Sequence, residues 1–218
     1  MMDKLAGLRE ILAMDPNNSF ARYGVANYSR PQRLVVSYNY ELPWFKNNSA
    51  LRGRLLGGWG ASGVTQIQSG HVLTVTGTNS ANVYGETGDR AELVSGCTNG
   101  MVALHGSVDQ KLTTYFNKAC IGSAWPVIGN GSGTGFGNSG VGIVHGPAEN
   151  NTDVAIIKRT AIGGFGMKDI EFRTEFFNAF NHPEFADPDA SVTDSTFGTI
   201  TALSVPSRII QFALKINF

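Results

Sequence analysis

Apolar and polar residues alternate with a period of two over long stretches of this 218-residue chain. The clearest stretch is the C-terminus, which begins at Arg208 and whose apolar positions are Ile210, Phe212, Leu214, Ile216 and Phe218. Such alternation is typical of a β-strand with one apolar and one polar face. A soluble strand usually has about 5–6 residues, whereas a tilted membrane-spanning strand needs about 9–11. The C-terminal stretch therefore has the length of a membrane-spanning strand.

Four further stretches alternate in the same way and are predicted as strands: 33–42, 55–77, 152–161 and 170–180. In the last of them, Glu171, Arg173 and Glu175 occupy one face opposite apolar residues. Three charges on one face are unusual in a soluble core, but they suit a barrel wall with lipid outside and water inside. We expect these three side chains to face the lumen, as a polar substrate path, as a surface against a plug, or as an ion-paired ladder.

The predicted connections alternate between short and long. Residues 43–54 and 162–167 form short turns, whereas the connections at about 78–151 and 181–207 are long. Outer-membrane barrels have short periplasmic turns and longer extracellular loops. If the C-terminus is periplasmic, both short turns lie there, with an aromatic girdle formed by Trp44, Phe45, Trp59, Phe165 and Phe218. The pattern predicts an all-β fold: an antiparallel transmembrane β-barrel portion of about five to eight strands, with long extracellular loops.

Composition and charge narrow the classes of function. Only 16% of residues are charged, against roughly a quarter in ordinary soluble domains, and 27 residues are glycine. The 17 basic residues balance the 17 acidic ones, so we expect no nucleic-acid partner. There is no apolar run long enough for a transmembrane helix and no signal peptide at the N-terminus. The start of the chain therefore suggests either a cytoplasmic protein or a missing N-terminal part.

Several strings resemble the late barrel of TonB-dependent outer-membrane receptors. They are Arg33-Leu-Val-Val-Ser-Tyr-Asn-Tyr-Glu-Leu-Pro43, Leu56-Gly-Gly-Trp59, Gln68-Ser-Gly70, Gly146-Pro147 with Asn151-Thr-Asp153 and Lys158, Phe172-Arg-Thr-Glu-Phe-Phe-Asn178, Phe180-Asn-His-Pro-Glu-Phe185, Phe197-Gly-Thr-Ile-Thr201 and the final strand. The most similar group is the Oar-like one, whose members carry a carboxypeptidase-regulatory-like N-terminal domain. The resemblance covers most of the chain from about Asp15.

The resemblance implies a localisation and a function. Such receptors lie in the outer membrane of Gram-negative-type bacteria and import a nutrient such as a siderophore complex or a glycan. Their barrel has about 22 strands around a plug, so we expect residues 1–218 to be the C-terminal part of a longer receptor. The TonB complex would then act only through a plug absent from this chain. The other expected partners are outer-membrane lipid and the barrel assembly machinery.

The last strand also resembles the signal that the barrel assembly machinery reads, with Phe218 as the key residue and Ile216, Leu214 and Phe212 on the same face. Two alternatives to the receptor remain open. One is an independent small outer-membrane barrel with a structural or adhesive role. The other is a soluble β-sandwich that acts as a binding module, in which the apolar faces would pack against each other.

We expect no catalytic, cofactor-binding or metal site. Residues 135–140 match a dinucleotide fingerprint, but no strand precedes them and no helix can follow, so they are interpreted as a flexible glycine-rich loop. The four histidines have no metal-ligand spacing. Cys97 and Cys120 both lie in the long loop at 78–151. They form a disulfide if the chain is exported, or two free thiols in a cytosolic protein.

Overall fold

The computed structural model describes residues 23–44, 51–79, 88–122, 135–164 and 167–218. The strands and α-helices of these segments are β1 (Arg33–Glu41), α1 (Leu51–Leu56), β2 (Trp59–Gln68), β3 (Val72–Leu73), β4 (Thr76–Thr78), β5 (Gly88–Arg90), β6 (Glu92–Leu93), α2 (Val108–Thr113), β7 (Ile121–Gly122), β8 (Val144–His145), β9 (Glu149–Gly164), β10 (Met167–Phe177), β11 (Glu184–Phe185), β12 (Leu203–Val205) and β13 (Ile209–Asn217). Short 3₁₀ helices cover Asn99–Met101 and Lys118–Cys120. None of the helices in the described segments has the length and apolar character that a membrane span requires.

One sheet holds the long strands. Within the described residues it has five strands in the order β1-β2-β9-β10-β13, and every neighbouring pair is antiparallel. We call it the main sheet. It is open in the described part of the chain, because β1 and β13 each have a neighbour on one side only. The sequence prediction of an all-β, partial-barrel fold is confirmed.

The register places all the alternating apolar residues on one side of the main sheet. In one representative row, Tyr40 lies opposite Ala61, Ala61 opposite Ile156, Ile156 opposite Thr174, and Thr174 opposite Phe212. Directly paired residues share a face of a sheet. We call this side the apolar face; it comprises Leu34, Val36, Tyr38, Tyr40, Trp59, Ala61, Gly63, Thr65, Ile67, Asn150, Thr152, Val154, Ile156, Lys158, Thr160, Ile170, Phe172, Thr174, Phe176, Ile210, Phe212, Leu214 and Ile216. The opposite side is the polar face.

The main sheet is sheared as a barrel wall is. Glu41, the last residue of β1, lies in the same row as Gly60, Ile157 and Arg173, and that row ends at Ala213, the middle residue of β13. The middle of β1 is Ser37, so β13 is displaced by four residues (41 − 37) over four strand-to-strand steps. A stagger of this kind accompanies the strand tilt, about 35–45°, that closes a sheet into a barrel.

The connections of the main sheet differ at its two ends. Residues 42–58 and 165–166 join strands at one end, which we call the short-turn end; residues 69–148 and 178–208 leave from the other. Trp44, Trp59 and Phe218 belong to the short-turn end. The remaining predicted girdle residues, Phe45 and Phe165, lie outside the described residues.

The predicted strand at 55–77 is wrong at both ends. Leu55 belongs to α1, which ends where Gly57 donates its N–H to the Gly53 carbonyl and Gly58 takes a positive φ of 72°. A side chain is strained in that conformation, so the glycine permits the turn from α1 into β2. After Gln68 the alternation continues, but only in the two- and three-residue strands β3 and β4. Alternation alone did not reveal that the chain leaves the main sheet there.

Other boundaries shift as well: β9 extends to Gly164 and β10 begins at Met167, so both strands run into the turn predicted at 162–167. β10 ends at Phe177 rather than at residue 180, because Asn178 adopts a positive φ of 49°, which asparagine tolerates. β9 begins at Glu149 rather than at 152, since its polar start continues the pairing with β2 as far as Gln68. Polar residues can extend a strand when their backbone N–H and C=O groups are hydrogen-bonded to a neighbouring strand. The hydrophobic pattern of the sequence does not reveal such an extension.

A second compact unit, the connection unit, comprises the described residues of 23–31, 69–148 and 185–202. Its short ladders are β3–β8, β4–β5 and β6–β7. They surround a small core of Val75, Ala91, Val102, Tyr115, Phe116, Val144 and Phe197. The rings of Phe116 and Phe197 stack at a centroid distance of 5.2 Å. The predicted long loop at about 78–151 therefore contains folded structure with its own core.

Candidate functional site

The apolar face exposes large side chains along β13. Phe212 and Leu214 are 67% and 66% exposed, and Phe218, just beyond the strand, is 75% exposed. Phe212 and Phe172 of β10 stack at a centroid distance of 6.2 Å. Ile216 lies opposite Ile170. All four residues predicted as an assembly signal therefore lie at the edge strand of the main sheet or directly after it. Aromatic and aliphatic surface of this extent is what a hydrocarbon environment would cover.

The polar face carries a ladder of ionised side chains at its centre. The Nε of Arg159 lies 2.7 Å from Oε2 of Glu171, and a nitrogen of Arg173 lies 2.8 Å from Oε1 of Glu175. Lys215 on β13 lies directly opposite Glu171. The predicted lumen residues are thus brought together on one face. Sequence reasoning missed Arg159 and Lys215, although their positions in the alternation assign them to the same face.

Hydrogen bonds between polar side chains extend this face toward both of its ends. Arg33 donates to Oε1 of Gln66 at 3.1 Å, and Gln68 donates to the Glu149 carboxylate. Near the short-turn end, Asn217 donates to Oδ1 of Asp169 at 2.6 Å. A cavity of about 340 Å³ also opens at the short-turn end and is lined by Asn39, Glu41, Leu42, Gly58, Trp59, Gly60, Ser62, Ile157 and Arg159. A surface with these charges can bind a polar ligand or a polar protein segment.

The turn after β10 is built by two polar side chains. The Asn178 amide donates to the carbonyls of His182 and Pro206, at 2.8 and 3.1 Å, and its Oδ1 accepts the His182 N–H at 2.9 Å. Glu184 is 1% exposed; its carboxylate pairs with Nδ1 of His182 and accepts the N–H of Asn150, both at 2.9 Å. In the sequence from Phe172 to Phe185, which resembles a receptor motif, Asn178 and Glu184 therefore have a structural role: they fix the backbone where β10 ends.

Cys97 and Cys120 form a disulfide in the connection unit, with an S–S distance of 2.09 Å. The bond closes a loop with a sequence separation of 23, for which the chain-entropy model gives about 3 kcal/mol. Cys120 is 5% exposed and ends the 3₁₀ helix that leads into β7. The cross-link therefore fixes the segment next to the β6–β7 ladder.

The glycine-rich segment 135–140 is closely packed rather than open. Oδ2 of Asp89 accepts the Gly137 N–H at 2.9 Å, and Arg90 donates to the Gly137 carbonyl at 2.9 Å. A Cβ on Gly137 would come within 1.8 Å of the Arg90 carbonyl oxygen. The segment is a loop, as predicted, but it is packed rather than open, because its glycines let the backbone approach the buried side chains of Asp89 and Arg90. Within the described ranges, no group of acidic, histidine and cysteine side chains could hold a metal ion.

Burial perturbs two titratable groups of the connection unit. It raises the pKa of Tyr115 to about 12, with a smaller contribution from the Asp187 carboxylate. The Tyr115 hydroxyl donates to the His145 carbonyl at 2.8 Å. Burial also raises the pKa of Glu92, against the opposing effect of the hydrogen bond from the Asn138 N–H. Both groups are held by backbone contacts, which is typical of a structural role.

An open, sheared antiparallel sheet with one apolar face and one charged, polar face is the structure expected of the wall of a membrane β-barrel. Comparison with family models agrees with this class: the chain belongs to the outer membrane beta barrel domain family, whose model matches residues 2–211. Membership places the protein in the outer membrane. Neither the curated proteins nor the solved structures contain a match to it. The soluble β-sandwich alternative does not fit this family or the exposed apolar face.

Proposed function

We propose that this chain forms the C-terminal part of the barrel wall of a TonB-dependent receptor, which imports a nutrient ligand of the siderophore or glycan type. One observation carries the proposal: every register-paired charged residue of the described main sheet except Lys158 lies on the face opposite the alternating apolar residues, as a lipid-bounded aqueous channel requires. The receptor strings in the sequence supply the finer assignment. The Oar-like group is the proposed relative, and no catalytic role is proposed.

The orientation follows from the lengths of the connections. The short-turn end is assigned to the periplasm, and the long connections at 69–148 and 178–208 are assigned to the cell exterior. A disulfide between Cys97 and Cys120 suits an oxidising compartment outside the cytoplasm. The apolar face then contacts outer-membrane lipid, and the polar face borders the lumen or a plug. The energy-transducing TonB complex reaches the receptor only through such a plug.

The free edges of the main sheet support a wall of more strands. In the described part of the chain, β1 and β13 each lack a partner on one side. An unpaired backbone group in hydrocarbon costs several kcal/mol, so membrane sheets close into barrels, of which the smallest have eight strands. Additional strands that pair with both edges complete the proposed barrel.

Uptake measurements test the proposal. In the source bacterium, the gene is deleted and the uptake of radiolabelled ferric siderophores and of labelled oligosaccharides is compared with that of the parent and a complemented strain. We expect uptake of one ligand class to fall to background, to return on complementation, and to be abolished equally by a protonophore. Unchanged uptake of both classes, with the protein present in the parent membrane, would contradict the receptor and favour a structural or adhesive barrel.

A further inference from the structure

Lys158 is the exception on the apolar face. Among the register-paired residues of the described main sheet, it is the only charged residue on that side. It lies opposite Trp59 on β2 and opposite Phe172 on β10. A charge that points from a barrel into lipid is costly unless it reaches the interface. The position of its ammonium group therefore indicates where the membrane surface lies.

The Lys158 ammonium reaches the last turn of α1. It donates to the Arg54 carbonyl at 2.8 Å and to the Gly57 carbonyl, and it lies 5.7 Å from the centroid of the Trp59 ring. The Trp59 indole N–H donates to the Leu55 carbonyl at 3.2 Å. A cation is favourable at a helix C-terminus, where carbonyls are unpaired. An ammonium has three N–H donors, so two of them are used and one remains.

Helix α1, whose last turn contacts Lys158, carries a second positively charged side chain and two exposed leucines. Arg54 is exposed, and Leu55 and Leu56 are 61% and 52% exposed. We call Arg54, Leu55, Leu56, Trp59 and Lys158 the Lys158 cluster. The register assigns the neighbouring carboxylates Glu41 and Glu171 to the polar face. The cluster therefore combines two positive charges, an aromatic ring and exposed leucines at the short-turn end.

We propose that the Lys158 cluster binds the headgroup of an anionic phospholipid. This rests on the proposed function, in which the apolar face contacts lipid. The Arg54 guanidinium and the third Lys158 N–H bind the phosphate, while the acyl chains lie over Leu55, Leu56 and Phe172. Charge complementarity selects the occupant: a zwitterionic headgroup carries its own cation, whereas an anionic one leaves a net negative charge for the protein to neutralise. A basic residue near an anionic surface contributes about 1 kcal/mol, which is about fivefold in affinity.

Quenching of Trp59 fluorescence by brominated lipids tests the site. Every tryptophan of the full-length protein other than Trp59, including Trp44 and Trp125, is replaced with phenylalanine, so that the fluorescence comes from Trp59 alone. The protein is reconstituted in phosphatidylcholine bilayers that contain increasing amounts of brominated phosphatidylglycerol or brominated phosphatidylcholine. We expect phosphatidylglycerol to be preferred at Trp59 by about fivefold or more. Arg54→Gln is expected to reduce the preference by about fivefold, whereas Arg54→Lys retains most of it.

Arg208→Gln provides a matched control, because Arg208 precedes β13 at the opposite end of the main sheet and is also exposed. It should leave the lipid preference at Trp59 unchanged. Equal quenching by the two brominated lipids in the parent protein would overturn the headgroup site alone. If neither brominated lipid quenches Trp59, the apolar face does not contact the bilayer, and this result overturns the proposed function as well.

Discussion

Replacing Phe212 with arginine is expected to destabilise the folded protein by about 2–4 kcal/mol, the cost of a basic residue on the lipid face near the bilayer midplane. Phe212 is next to Ala213, the middle residue of β13, and is 67% exposed on the apolar face. The substitution also removes the stacking contact with Phe172. Urea titration of the protein folded in lipid vesicles, followed by tryptophan fluorescence, gives the free energy of unfolding.

Gln211→Arg is the matched control for this experiment. Gln211 precedes Phe212 on the same edge strand, but it lies on the polar face, directly opposite Glu175. The new guanidinium would meet water and a carboxylate, so we expect a change within about 0.5 kcal/mol. If both substitutions destabilise equally, or if Phe212→Arg is neutral, the apolar face is not in contact with lipid.

Deleting Phe218 is expected to remove most of the assembled protein from the outer membrane in vivo. Phe218 lies beyond the last ladder pair, Asp169 with Asn217, and is 75% exposed. Its removal costs little packing, so a large loss reflects recognition by the assembly machinery rather than instability. The amount of heat-modifiable protein in purified outer membranes measures assembly.

Two further measurements separate assembly from folding. The deletion variant should refold in detergent as well as the parent does, and Phe218→Trp, which keeps a terminal aromatic ring, should assemble normally in vivo. Unchanged levels of heat-modifiable protein in the deletion strain would show that Phe218 is not the recognised residue.

The strands of the main sheet could be predicted because lipid and water impose a period of two over their whole length. The edge strand at Arg33–Glu41 is one residue shorter than its predicted range, and β13 is shorter than its predicted range by one residue at each end. The ends of β2 and β10 could not be predicted in this way. They depend on single backbone conformations, at Gly58 and Asn178, and on the pairing of polar residues such as Glu149. None of these changes the hydrophobic pattern.

The candidate site shows the same division. Glu171, Arg173 and Glu175 can be assigned to one face from the sequence, because residues two apart along a strand lie on the same side of the sheet. Their partners depend on which strands are neighbours: Arg159 meets Glu171 because β9 pairs with β10 in one particular register. The connection unit could not be predicted from the sequence, because its core is assembled from distant segments and its strands have only two or three residues. Short strands leave too little alternation to detect.

The most direct test of the two-faced wall is spin-label accessibility along β10. A nitroxide is placed in turn at cysteines introduced for Ile170, Glu171, Phe172, Arg173 and Thr174, while Cys97 and Cys120 stay paired in their disulfide. In bilayers, we predict that labels at 170, 172 and 174 collide mainly with oxygen dissolved in lipid, and that labels at 171 and 173 collide mainly with a water-soluble nickel chelate. A profile without this alternation, or with all five positions shielded from both reagents, would contradict a lipid-facing apolar side and a hydrated polar one.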